Sequence, residues 1–277
     1  MVGGTLYRNY DRELEQKGIR LGDRVIEPQP FCWMCSAKFG RRAKEHIFPL
    51  WLVDELKARG EKLSPSHYDR LGRLVSARGP MSVTSFVGGE VCRVCNNGWM
   101  SRLERDFKAI IYRRGRMGRL TSADQQVIAR WFVKTSIVLN TSQNYRLLFR
   151  RAARHAVVDR VPRGASVFLS RTRPQRRKLM FAQGSALLVL PGGSIDVSEA
   201  QRKSGSLHMC GIRIDDLQAL VVYWPTRYRT QAYGNWTKIA PNPSELTWDQ
   251  IPLEEQPIDE GYLTVAPPEL CPWPGRR

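Results

Sequence analysis

Two Cys-x-x-Cys pairs constrain this chain more than any other feature of its sequence: Cys32 with Cys35, and Cys92 with Cys95. Each pair can close a tight loop that presents two thiolates, and four thiolates form the ligand set of a tetrahedral structural zinc site. Redox chemistry would need only one pair, and four unrelated buried cysteines would need no such spacing. The pattern therefore predicts a structural Zn²⁺ that joins two segments distant in the chain.

Length and composition predict a soluble globular protein. The 277 residues correspond to one or two domains at roughly 150 residues per domain. Hydrophobic residues make up 42% and charged residues 25%, which is typical of folded rather than disordered chains. The sequence has no apolar run of the ~18 residues that a membrane span needs, and its N-terminal stretch lacks the apolar core of a signal peptide. We therefore expect no membrane partner and a cytoplasmic location.

The charge of the chain is strongly positive and unevenly distributed. The formal net charge is +18, and the segment 105–205 holds 21 basic against 5 acidic side chains. Of the 44 basic residues 34 are arginine, which can bind phosphate through two parallel hydrogen bonds. This excess indicates a polyanionic partner, although a solvated basic surface is an alternative. The candidate nucleic-acid contacts are four arginines after the second cysteine pair: Arg113, Arg114, Arg116 and Arg119.

Local patterns predict an α+β chain in three parts. Residues 1–29 form a polar N-terminal segment with one helix around 11–17. Residues 30–118 contain both cysteine pairs, a helix over 49–60, an inserted loop around 60–90 and a helix that begins after the second pair. Residues 119–277 form a basic α+β domain.

The third part begins with a helix and continues with strands. The pattern Ser122-x-x-Gln125 is typical of a capping box. Apolar residues then recur at helical spacing and predict an amphipathic helix of about 18 residues. Asp215 and Asp216 are expected to form a hairpin turn between the last two strands. The predicted strands are 145–149, 165–170, 185–190, 206–214 and 217–224.

A carboxylate, an imidazole and an amide accompany the cysteine pairs in the sequence. Glu45 and His46 stand between the pairs, and Asn96 directly follows the second. Folding around zinc is expected to bring these three side chains into one neighbourhood. Carboxylate and amide oxygens suit Mg²⁺ or Mn²⁺, and a neutral histidine can take a proton from an attacking water. Such a set can perform metal-assisted hydrolysis of a phosphodiester bond.

At these residues the chain resembles the HNH (ββα-metal) endonuclease family in its zinc-knuckle form. The similarity covers residues 30–105 and includes the strings EHIFP (45–49) and CNNGWMSRLE (95–104). The resemblance implies a ββα-metal module with His46 as general base and with Glu45 and Asn96 as ligands of one catalytic divalent cation. It also implies that the four paired cysteines hold structural zinc and that residues 119–277 form an extension that holds DNA.

The resulting interpretation is a metal-dependent DNA endonuclease with structural Zn²⁺ and catalytic Mg²⁺ or Mn²⁺. Duplex DNA is the favoured partner, and a homodimer is one arrangement that would allow double-strand cleavage. The segment SFVGGEV (85–91) lacks the asparagine that the family carries on its second strand. Two alternatives therefore stay open: a zinc-stabilised nucleic-acid-binding protein without catalysis, and a nuclease that acts on RNA.

Overall fold

The computed structural model describes residues 31–38, 40, 42–64, 66–68, 74–77, 79–114, 118–142, 149–184, 208–224, 228–232, 235–241, 246–254 and 269–272. The predicted helix around 11–17 and the predicted strand 185–190 lie outside these residues, as does all but the last residue of the predicted strand 145–149. Within them the chain combines helices with mainly antiparallel sheets. The predicted α+β class is therefore confirmed.

The described residues form four main helices and sixteen strands. The helices are α1 (Leu50–Glu55), α2 (Ser101–Arg113), α3 (Ser122–Ser142) and α4 (Arg151–Ala156). The strands of the first half are β1 (Arg42–His46), β2 (Lys62–Leu63), β3 (Ser66–Tyr68), β4 (Leu74–Ala77), β5 (Met81–Ser82), β6 (Val87–Cys92) and β7 (Arg119–Leu120). The strands of the second half are β8 (Ala165–Thr172), β9 (Leu179–Gly184), β10 (His208–Ile214), β11 (Leu217–Tyr223), β12 (Tyr228–Ala232), β13 (Thr237–Ala240), β14 (Leu246–Thr247), β15 (Leu253–Glu254) and β16 (Glu269–Pro272).

Strands β1 and β6 form an antiparallel pair on either side of the inserted segment. Arg42 pairs with Cys92 and His46 with Val87, and a bulge interrupts the register between them. The insertion contains two small antiparallel pairs, β2 with β5 and β3 with β4. Two short helical turns then lead from β6 into α2, with non-helical backbone at Gly98. Helix α2 thus follows the paired strands β1 and β6, which are separated in the chain by α1 and the insertion.

Helix α1 is shorter than its sequence pattern predicts. Pro49 precedes its first residue, as expected, because proline at a helix start lacks only an N–H that would have no partner. The helix ends at Glu55, and Lys57 adopts the left-handed backbone conformation with φ 53°. The predicted end at Gly60 is therefore wrong by about one turn.

The largest sheet has the strand order β13-β8-β11-β10-β9, and β15 pairs with β8 in parallel. Strands β10 and β11 form a hairpin in which Ile214 pairs with Leu217. Asp215 and Asp216 make the turn, and Asp215 has φ 55°. Aspartate tolerates this left-handed region better than most residues because its short side chain can bond locally. The predicted hairpin turn is confirmed.

Helix α3 runs through the core of the fold, and its burial differs from the prediction. Residues 131–140 are all buried, so this half of the helix has no solvent face and the expected amphipathic pattern is wrong there. The capping box lies one residue earlier than predicted: Thr121 Oγ1 accepts from the Asp124 N–H at 3.1 Å. The Asp124 carboxylate accepts in return from the Thr121 N–H at 3.2 Å. Gln125 instead donates to the Leu120 carbonyl.

One hydrophobic cluster includes residues from both halves of the chain. It extends from Cys32 through Phe107 on α2 and Trp131 on α3 to Ile251. The rings of Phe107 and Trp131 stack at 4.1 Å, which places α2 directly against α3. None of the described helices is long and apolar enough to cross a bilayer.

Candidate functional site

The four paired cysteines converge beside the end of β6. Their Sγ atoms all lie within 4.8 Å of one another, and the Sγ atoms of Cys35 and Cys92 are 3.7 Å apart. Cys35 is exposed, whereas Cys32, Cys92 and Cys95 are buried. Four sulfur atoms in this arrangement could hold a structural metal such as zinc. The predicted four-cysteine cluster is therefore present.

The electrostatics of the cluster favour a bound cation. A hydrogen bond with the Cys95 thiol lowers the pKa of Cys32 to about 4, against the opposing effect of burial. The backbone N–H of Cys92 also donates to Cys32 Sγ at 3.3 Å. Burial raises the pKa of Cys35 to about 11. At neutral pH the cluster thus contains a thiolate, and a metal ion would promote deprotonation of the remaining thiols.

Helix α4 fixes the loop of the first cysteine pair from the second half of the chain. Arg154 is buried, donates to the Trp33 carbonyl at 2.8 Å and places its guanidinium 4.5 Å from the centre of the Trp33 ring. His155 Nε2 lies 3.0 Å from Ser36 Oγ. Arg154 and His155 were not predicted from the sequence, because no local pattern connects them to cysteines more than 100 residues away.

Glu45 lies in a buried ion cluster that we call the Glu45–Lys134–Glu104 cluster. Lys134 Nζ donates to Glu45 Oε1 at 2.9 Å and to Glu104 Oε1 at 3.1 Å. The side chain of Lys134 is 1% exposed, that of Glu45 7% and that of Glu104 23%. Because these residues come from α3, β1 and α2, the cluster joins three elements at one point. Sequence reasoning identified Glu45 but gave no role to Lys134.

The lysine of this cluster is held in its charged form. Burial opposes the charge, but Glu45 and Glu104 outweigh burial and raise the pKa of Lys134. The ammonium also lies 5.5 Å from the centre of the Trp131 ring, whose negative face attracts a cation. Burial raises the pKa of Glu45 against the opposing effect of the Lys134 ammonium, so ionisation of this carboxyl group depends on the ion pair.

His46 and Asn96 each directly follow a member of one of these two clusters in the chain. His46 is the last residue of β1, follows Glu45 directly and is half-buried. Asn96 is half-buried and directly follows Cys95. Within the part of the chain that the structure describes, neither side chain has a hydrogen bond or ion pair.

The structure brings the predicted site residues together only in part. In the β1–β6 pair, Cys92 lies opposite Arg42, whereas Val87 lies opposite His46. The cysteine cluster and His46 are thus associated with different ends of this pair. The second carboxylate on the Lys134 ammonium comes from Glu104 on α2, whereas Asn96 lies in the turns before α2 and has no hydrogen bond with Glu45 among the described residues.

The four candidate arginines differ in their surroundings. Arg113 pairs with Asp124 at 2.9 Å, and Arg114 pairs with Asp216. Arg119 is exposed, and Arg116 lies outside the described residues. At least two of the four are therefore engaged in ion pairs within the chain.

Comparisons of the chain with protein-family models, with curated proteins and with solved structures found no match. Two local arrangements are candidates for function among the described residues: a four-cysteine cluster that could bind metal, and a buried ion cluster whose member Glu45 directly precedes His46 in the chain.

Proposed function

We propose that this chain is an HNH-type DNA endonuclease in which His46 acts as the general base. The observation that carries the proposal is the placement of His46: it ends β1 beside the anchored Glu45, and its half-buried ring has no partner among the described residues. The order strand, strand, helix and the four-cysteine cluster agree with the family resemblance of residues 30–105.

The role of His46 follows from its chemistry. A neutral imidazole can take a proton from water as the water attacks phosphorus, a contribution of roughly 10²–10⁴ in rate. Lys134 anchors Glu45, and this limits the movement of the adjoining backbone and keeps the end of β1 in place. The backbone that carries His46 is therefore held in place, and positioning of the base is part of general-base catalysis.

The family resemblance adds one catalytic divalent cation, Mg²⁺ or Mn²⁺, with Glu45 and Asn96 as ligands. When bound, such a cation would stabilise charge on the phosphate and on the leaving oxygen. The Lys134 ammonium already contacts Oε1 of Glu45 at 2.9 Å and would compete with such a cation for this carboxylate. Glu45 therefore contributes to the position of His46 rather than to metal binding.

Exposed basic side chains near the site support a nucleic-acid substrate. Arg42 and Lys44 are exposed on β1, and Arg102 and Arg105 are exposed on α2. Their charges would attract the phosphates of a duplex whose scissile bond lies at His46. We therefore propose duplex DNA as the substrate, with RNA cleavage and dimeric action as outcomes to be tested.

A plasmid-nicking assay with Mg²⁺ or Mn²⁺ tests the proposal. We expect the wild-type chain to nick supercoiled DNA and His46→Ala to lose at least about a hundredfold in rate, with zinc content and DNA affinity unchanged. His67→Ala, in the inserted segment, is the matched control and should cut at the wild-type rate. Cleavage by His46→Ala at the wild-type rate would refute the general-base role.

A second candidate function is nucleic-acid binding without catalysis. The Lys134–Glu45 ion pair favours it, because that pair occupies a carboxylate that the resemblance assigns to metal. Under this candidate the chain would bind DNA or RNA with strong salt dependence and would nick neither. Parallel assays on single-stranded DNA and on RNA separate this outcome from an RNA-specific nuclease.

A further inference from the structure

The Lys134 ammonium is a cation seated between two carboxylates. It makes contacts of 2.9 Å and 3.1 Å with Glu45 and Glu104, and its side chain is almost completely enclosed. The described chain therefore already supplies a positive charge at the point where the family resemblance places one ligand of a divalent ion. The sequence separation of Lys134 from Glu45 is 89 residues, so this contact depends on the tertiary fold.

An ammonium and a divalent ion compete for Glu45 in this geometry. The ammonium contacts Oε1, and Mg²⁺ binds oxygen at about 2.0–2.1 Å, with Mn²⁺ similar in its ligand preferences, so an ion on either oxygen of this carboxylate would lie close to the ammonium. Two positive charges at such separation would repel strongly in a buried, weakly screened place. This repulsion favours one cationic partner of the carboxylate at a time.

We propose that Lys134 is the internal counter-ion of Glu45 and that Lys134 and a divalent cation are mutually exclusive partners of this carboxylate. The proposal deepens the proposed function, on which it rests for the relevance of a divalent ion. In the wild-type chain the Lys134 ammonium lies between Glu45 and Glu104, so a divalent ion binds at Glu45 weakly. Removing the ammonium leaves two carboxyl groups without a cationic partner, and a divalent ion can take the place of the lysine.

Measurement of Mn²⁺ binding tests this proposal without any nucleic acid. The probe is Mn²⁺ itself, followed by electron paramagnetic resonance on the zinc-loaded full chain. We expect Lys134→Met to bind one Mn²⁺ at least about tenfold more tightly than the wild type, because the competing charge is gone. The double variant Lys134→Met with Glu45→Gln should lose this gain, because it removes the carboxylate. Equal affinity in Lys134→Met and wild type would overturn the proposal.

A second variant covers the case in which Lys134→Met does not fold. Combining Lys134→Met with Glu104→Gln removes one charge of each sign and leaves Glu45 as the remaining carboxylate of the cluster. We expect Mn²⁺ to raise its melting temperature well beyond any rise in the wild type. Equal Mn²⁺ effects on both proteins would also overturn the proposal.

These results are distinguishable from failure of the proposed function. A chain that nicks no DNA but gains Mn²⁺ affinity when Lys134 is replaced supports the counter-ion and refutes the nuclease. A chain that nicks DNA through His46 but shows no such gain supports the nuclease and refutes the counter-ion.

Discussion

Gly88 on β6 and Val138 on α3 touch so closely that no side chain fits between them. A Cβ built on Gly88 would lie 2.6 Å from Val138 Cγ1 and 3.8 Å from the Val138 carbonyl oxygen. Gly88 pairs with Glu45 across the hairpin, and Val138 lies one helical turn after Lys134. The bare backbone at Gly88 therefore allows α3 to approach β6, and this approach lets Lys134 reach Glu45.

Substitution of Gly88 by alanine should destabilise the protein. The added methyl group must push Val138 or α3 away, and overpacking of this kind costs about 1–3 kcal/mol. Urea unfolding would measure the loss. Gly60→Ala is the matched control, because a Cβ on Gly60 would meet nothing within 4 Å. If both variants unfold at the same urea concentration, the approach of α3 to β6 is not tight.

The four-cysteine cluster should contain one zinc ion per chain, and Cys92→Ser should lose it. Binding energy at structural zinc sites is also folding energy, on the order of 10 kcal/mol in small zinc proteins. We therefore expect the variant to lose native structure around the cluster, seen in the near-ultraviolet circular dichroism of the buried Trp33. Elemental analysis measures the metal directly.

Cys210→Ala provides the control for the zinc prediction. Cys210 is fully buried on β10 and lies outside the group of four, so its replacement should leave the zinc content unchanged. Wild-type protein that contains no zinc after purification with added zinc would contradict the assignment.

His208 should make stability depend on pH in the acidic range. Its ring is buried, with Nε2 3.2 Å from Ser136 Oγ, and burial lowers its pKa to about 3. The unfolded state takes up a proton near pH 6.5, well before the folded state does. The contribution of neutral His208 to stability is therefore complete above the pKa of histidine in the unfolded chain. It is lost as pH falls through about 6.5 toward 3.

The size of this effect follows from linkage. Between about pH 7.5 and pH 5.5 the free energy of unfolding of the wild type should fall by about 1.4 kcal/mol more than that of His208→Gln, because glutamine does not titrate. Denaturant unfolding at both pH values, with zinc held constant, checks this. Parallel pH dependence in the two proteins would show that His208 does not contribute.

The exposed arginines of α2 should contribute more to DNA binding than the paired ones. Removing one phosphate-binding side chain reduces the slope of log K against log salt by about 0.9, so Arg102→Gln with Arg105→Gln should flatten it by up to about 1.8. The pair Arg113→Gln with Arg114→Gln should flatten it less, because Asp124 and Asp216 already engage those side chains. Fluorescence anisotropy with a labelled duplex measures both slopes. A larger effect of the second pair would favour the four-arginine prediction instead.

Local patterns in the sequence predicted the features that depend on near neighbours. The spacing of the cysteines predicted their cluster, and the adjoining residues Asp215 and Asp216 predicted the β10–β11 turn. The length of α3 was nearly right, because helical periodicity continues along it. Its cap was misplaced, because both Thr121 and Ser122 can serve as N-cap and only the geometry distinguishes them.

Features that depend on distant contacts were not predictable in this way. By its residue type Lys134 would be expected on a solvent-facing side of its helix, and only the packing of α3 against β1 and α2 makes it the partner of Glu45. The excess of arginine predicted a phosphate-binding surface, but it gave no information on Arg114, which pairs with Asp216 about 100 residues later. The structure therefore differs from the sequence-based predictions more in the roles of particular charged residues than in the arrangement of helices and strands.

Lys134 lies outside residues 30–118, and this limits how the Glu45–Lys134–Glu104 cluster can be inherited. A fragment that ends at residue 118 would carry Glu45 and all four paired cysteines but would leave the Glu45 carboxylate without its ammonium. In a gene fusion that carried only this fragment, Glu45 would be buried without an ammonium unless the recipient protein supplied a replacement for α3. The two halves of the chain are therefore expected to depend on each other for a stable fold through this ion pair.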